Sequence, residues 1–160
     1  MRSIGYFPWI GLFPTVMGVV FALAPAVPGF GTFLYMALPP VTVLLWFLIG
    51  RRCGRDGYLY RWSVLSGHWG VAQILIVAVW QWGLVADEAR NATLAVFSQL
   101  LMGLVPGIVT LVMPFCMEGD KYVSSQVILW STTATALALV LIFSIGYWFG
   151  LQKRRRDVMG

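Results

Sequence analysis

The chain has 160 residues, 59% of them hydrophobic and 11% charged, with a mean hydropathy of +0.81. Soluble domains carry about 25% charged residues, so a fold that faces water on all sides is excluded, and one membrane domain over 1–160 fits the length. The formal charge of +5 does not call for nucleic acid, because the basic residues flank apolar runs, as the cytoplasmic bias of Lys and Arg in membrane proteins leads one to expect.

No Asp, Glu, Lys or Arg occurs from Ser3 to Gly50. A helix needs roughly 20 apolar residues to cross a hydrocarbon core about 30 Å thick, so this run holds two passes. It divides at APAVPGFG, where Pro25, Pro28, Gly29 and Gly31 favour a turn. The predicted segments are 4–25 and 31–50. The first is not read as a cleaved signal peptide, since Arg2 is its only basic flank and Pro8 and Pro14 interrupt it. The RRCGRDGYLYR loop follows, with Arg51, Arg52, Arg55 and Arg61. Three further uncharged runs predict segments at 63–86, 92–117 and 123–150, and the tail carries Lys153, Arg154, Arg155 and Arg156.

Charge and count then disagree. Both basic clusters belong in the cytoplasm, yet three crossings between them would put them on opposite sides. The predicted resolution is a segment that does not cross. Gly103, Pro106 and Gly107 interrupt the 92–117 run, and proline removes a backbone donor while glycine loosens the chain. A half-helix from about Ala92 to Met102, a break, and a return from about Ile108 to Met117 would leave ADEAR and EGDK outside and every basic cluster inside. The expected fold is all-α: a polytopic transmembrane helix bundle of four spans plus a re-entrant or Pro/Gly-broken segment, both termini cytoplasmic. The alternative is five spans with a Pro-kinked fourth.

Candidate chemistry is sparse. The apolar segments contain no Asp, Glu, Lys or Arg, and coupled transporters usually carry such groups within the bilayer. His68, in LSGHWG, is the one functional polar candidate there. It suits a proton relay, a haem ligand or a catalytic base; the simpler reading is a neutral histidine bonded to a neighbouring carbonyl. A haem would want a second axial ligand, and nearby Ser66 sits in no GxSxG elbow. Cys53 and Cys116 form no CxxC and no Cys/His cluster, so no metal, redox pair or cofactor is expected. Asp87 and Glu88 read as an acidic flank, and Asn91 of the NAT sequon reads as a helix N-cap.

Small residues carry more. Gly103 with Gly107, and Gly146 with Gly150, are GxxxG pairs; Gly18 with Ala22 is a looser version, and Ser131–Ala136 is a run of small and hydroxyl residues. Such faces let helix backbones approach closely, within this chain or against another membrane protein. The Trp and Tyr residues near segment ends match an interfacial belt.

The outline is similar to that of small polytopic accessory and immunity proteins of bacteria, in size and layout alone. The expected function is that of a non-enzymatic protein of the bacterial inner membrane, acting through helix-to-helix contact as an accessory subunit or as an immunity-type inhibitor of a membrane-inserted toxin. The expected partner is another integral membrane protein; anionic lipid headgroups and a second copy of the chain are further candidates. The alternative is a small oligomeric channel or transporter for an uncharged or weakly charged solute.

Overall fold

The computed structural model describes residues 7–105, 108, 112 and 125–159. Its described residues are helical with no strand. Helix α1 spans Phe7–Leu23 and ends in a 3-10 turn, Ala24–Ala26. Helix α2 spans Gly31–Asp56. Helices α3 (Tyr60–Gly67) and α4 (Trp69–Ala78) are followed by a π turn at Val79–Leu84. Helix α5 covers Ala92–Ser98, and α6 covers Ser125–Met159.

Two of these, α2 and α6, are long and apolar enough to cross a membrane, and the bent pair α3–α4 makes a third if it is one span. Described α1 offers a shorter apolar stretch, Ile10–Leu23, so length and hydropathy select two or three of the four expected spans.

The frame of the molecule is the α2–α6 pair, which runs parallel. Trp46 Nε1 donates to the Leu139 carbonyl at 3.1 Å, Gly50 lies against the Phe143 carbonyl, and Gly54 lies against that of Tyr147. Both numbers rise together, so the basic ends of the two helices lie side by side. The α3–α4 pair runs the other way along α6. The Tyr147 hydroxyl donates to the Tyr58 carbonyl at 2.6 Å, Tyr60 and Ser144 share a hydrogen bond at 2.8 Å, and Arg90 Nη2 donates to Ser125 Oγ at 2.8 Å. Between Ser125 and Tyr147 the helix rises about 33 Å, which matches a hydrocarbon core of about 30 Å. Trp46, Ile74, Leu101, Leu104, Leu139 and Phe143 form a fully buried core between these elements.

Four expected boundaries change. The Arg-rich loop is mostly helix: α2 continues through Arg51, Arg52 and Arg55 and stops at Gly57, which takes a left-handed φ of 81°. The Tyr58 N–H returns to the Cys53 carbonyl and the Gly57 N–H to that of Gly54, a glycine stop that satisfies carbonyls at the helix end. The basic tail is likewise an extension of α6. The 63–86 run is not one straight pass, for α3 and α4 meet at 51°. Finally, α5 ends at Ser98 rather than Met102, and short turns carry residues 99–105. Pro106, Gly107, Cys116 and most of the expected return lie outside the described residues.

Candidate functional site

His68 sits at the bend. Its backbone (φ −114°, ψ 9°) closes α3 and opens α4. Nδ1 lies 2.9 Å from the Val64 carbonyl; a carbonyl only accepts, so Nδ1 carries the proton and Nε2 holds a lone pair. That Nε2 is buried without a partner among the described residues. The ring stands edge-on to Trp46 and Phe143 at centroid distances of 5.1 and 5.2 Å, and Phe13 stacks on Trp46 at 5.8 Å. The bend has a packing cause. A Cβ on Gly11 would overlap the Ser66 carbonyl and the Trp69 ring, and one on Gly70 would crowd the Gly11 carbonyl. Helix α1 therefore crosses the bend with backbone against backbone.

The chemistry available to His68 is limited by what surrounds it. Ser66 Oγ donates to the Trp62 carbonyl one turn back, so no serine–histidine pair forms. No group of three metal-ligating side chains exists among the described residues. A bare imidazole nitrogen between aromatic rings can accept a hydrogen bond from a water or a passing donor.

A second polar cluster lies at the end of the bundle away from the basic residues, and its centre is Arg90. The last carbonyls of a helix lack intrahelical partners, and Arg90 Nε takes that of Gln81, in the π turn, at 2.8 Å. Nη2 reaches Ser125 Oγ and pairs with Asp87. The guanidinium lies 4.4 Å over the Trp82 ring. Gln81 is itself buried, and its Oε1 accepts the Asn91 N–H at 3.1 Å. Asn91 Oδ1 in turn accepts the Leu94 N–H at 3.1 Å, the expected N-cap. Deeper along α6, Trp82 Nε1 donates to Ser98 Oγ at 2.7 Å, and Thr132 Oγ1 reaches the Ser98 carbonyl at 3.5 Å. Ser131 and Thr135 are fully buried on the same face, with hydroxyls that have no partner among the described residues.

The predicted glycine contacts fall in different places. Gly146 and Gly150 meet α2: a Cβ on either would overlap the Phe47 or Arg51 carbonyl. Gly50 and Gly54 make the same approach from the α2 side, so the seam is a reciprocal pair of GxxxG faces. Gly103 lies under the Phe21 ring, and Gly18 against the Leu100 carbonyl. At the basic end, Arg52 and Arg55 lie 3.7 and 3.8 Å from Asp56, and Arg154 covers Gly57. Arg51, Lys153 and Arg156 border a groove between the two helices, while Arg61 lies 5.9 Å from the Trp62 ring.

Sequence reasoning missed two features that had a signal. GRRCG at Gly50–Gly54 is a GxxxG whose charged middle disguises it. Arg90 reads as one more loop charge, although a lone arginine one residue before an N-cap is placed to turn back on the preceding helix. No family model, curated protein or solved structure matches the chain.

Proposed function

We propose that this is an integral protein of the bacterial inner membrane that acts without catalysis, through helix-to-helix contact, as an accessory subunit of a membrane complex or an immunity-type inhibitor of a membrane-inserted toxin. Four segments cross in this reading. The stretch from Ala92 onward enters and returns at the end where Arg90 lies. The observation that carries it is the parallel run of α2 and α6. In a five-span chain the second and fifth spans point in opposite directions, whereas in a four-span chain the second and fourth point the same way. The α3–α4 pair supports this by following α6 over a full bilayer thickness in the opposite direction. With four crossings all eight flanking basic residues, from Arg51 to Arg156, face the cytoplasm, as their charge favours.

The Gly146–Gly150 face is filled by α2, so a partner would have to use another surface. The outer side of α6 offers Trp130, Leu137, Leu141, Ile145 and Trp148, all exposed at helical spacing. A photo-reactive residue in place of Leu141 should cross-link in intact membranes to one other membrane protein of defined mass. Lipid adducts alone, with the protein monomeric in mild detergent, would count against the contact reading.

A second reading, a channel built from several copies, draws on four buried polar atoms that have no partner among the described residues: Thr15 Oγ1, His68 Nε2, Ser131 Oγ and Thr135 Oγ1. Unpaired polar groups are costly in a lipid-facing bundle, and a water-filled path would satisfy them. Solute flux through vesicles carrying only this chain, lost in Thr135→Val, would favour it.

A further inference from the structure

The basic residues of α2 and α6 do not all have the same surroundings. Arg52 and Arg55 face Asp56, and Arg154 covers Gly57. Arg51, Lys153 and Arg156 instead converge on one groove of about 410 Å³, lined also by Phe149, Gln152 and Asp157. Among the described residues these three cations form no ion pair. Against the single carboxylate of Asp157 they leave the groove with a net charge of 3 − 1 = +2.

One helical turn deeper on each helix stands an aromatic ring. Phe47 is four residues before Arg51, and Phe149 four before Lys153; the two rings meet at a centroid distance of 6.0 Å, and Phe149 is half exposed. With the cations at the mouth and Phe149, backed by Phe47, on the wall below them, the groove grades from anion-binding to apolar. Inorganic phosphate would use only the upper half. A phospholipid uses both, with its phosphate at the cations and its glycerol and first acyl carbons over the Phe149 ring.

We propose that this groove is a binding site for one anionic phospholipid, held by Arg51, Lys153 and Arg156 and seated on Phe149, which Phe47 backs. The proposal rests on the reading of α2 and α6 as spans whose basic ends meet the membrane surface. It goes beyond a general attraction of basic flanks to acidic lipid, because it singles out three residues from their neighbours.

The full chain in neutral detergent micelles can be titrated with dioleoyl phosphatidylglycerol, dioleoyl phosphatidylcholine or inorganic phosphate, with bound lipid counted by native mass spectrometry. Phosphatidylglycerol should bind one to one and resist competition by inorganic phosphate. Lys153→Gln with Arg156→Gln should weaken it about thirtyfold, at roughly tenfold per 1.4 kcal/mol and about 1 kcal/mol per basic residue. Arg52→Gln with Arg155→Gln removes the same charge outside the groove and should change affinity far less. Phe149→Ser should weaken phosphatidylglycerol while leaving any inorganic phosphate binding unchanged. Equal loss in the two double variants would overturn the site in favour of a diffuse basic surface. Equal binding of phosphatidylcholine, or displacement by inorganic phosphate, would overturn the lipid. The readout depends on neither a protein partner nor sidedness, so a failed cross-linking or topology experiment is distinguished from a failed site.

Discussion

Two glycine-bearing crossings in this molecule have opposite outcomes. Along the α2–α6 seam, Gly50, Gly54, Gly146 and Gly150 lie in unbroken helices. Where α1 crosses the third segment, Gly11 and Gly70 also bring backbones together, yet that segment is bent by 51° at His68. Glycine is therefore not in itself the helix breaker. In the seam, the glycines of the two helices fall at about the same level, and each faces a backbone carbonyl of the other helix. At the bend, α1 crosses a single turn, and the chain yields there to let Trp69 and the Gly11 backbone share the space. The seam orders the two helices in parallel; the bend admits the N-terminal helix.

The sharpest way to break this contrast is to add side-chain atoms to the seam. Gly54→Ala and Gly150→Ala each drive a methyl into a backbone carbonyl, where overpacking costs roughly 1–3 kcal/mol, and Gly150→Leu should exceed that. Membrane abundance and melting temperature in detergent should both fall. Unchanged melting of both Ala variants would remove the seam from the account.

Arg90 should come next. Arg90→Ala strips partners from the Gln81 carbonyl and Ser125, and hydrogen bonds to charged groups are worth roughly 1.5–3 kcal/mol each way of counting the loss. Asp87 is mostly exposed, so its share of that loss is small. Arg90→Lys should recover little, since a single ammonium cannot span the same fork of acceptors. Protease nicking between Val85 and Asn91 should rise in both variants; full protection in Arg90→Ala would contradict the clamp.

Trp46→Phe keeps an aromatic ring beside His68 and deletes the N–H to Leu139, at a cost of about 1 kcal/mol. A loss as large as that of Gly150→Leu would mean the indole does more than bridge α2 and α6. The smallest effect is expected at Gly83, where a Cβ would sit 3.6 Å from Leu129 Cδ2 in ordinary contact. Gly83→Ala should leave melting unchanged within error, and a seam-sized loss there would mean that the π turn needs glycine for its backbone.

Much of the frame could be read from residue order. The Pro/Gly turn in APAVPGFG predicted α2 from Gly31, and charge-free runs predicted the apolar bodies of α2 and α6, because a span announces itself by the absence of ionisable groups. Asn91 was legible as a cap because its side chain acts locally. The bend at His68 was not, since no proline marks it and its cause is α1, far away in sequence. The partner of the Gly146–Gly150 face was hidden for a similar reason. Gly50 and Gly54 sit where the apolar run gives way to arginines, and the loop assigned there is helix. The place of Arg90 one residue before the Asn91 cap was a signal, but the carbonyl it turns to belongs to a π turn, which residue order does not mark.

The central claim is that α2 and α6 cross in the same direction, with their basic ends on one side. Cys53 is itself buried, so probes belong at exposed positions in a chain whose native cysteines are replaced by alanine. Arg52→Cys and Arg155→Cys report the basic ends, and Glu88→Cys the opposite end. Labelling of intact cells with a membrane-impermeant maleimide should modify Glu88→Cys and spare the other two until the membrane is opened. Modification of Arg155→Cys but not Arg52→Cys in intact cells would put the two ends on opposite sides and contradict the parallel pair.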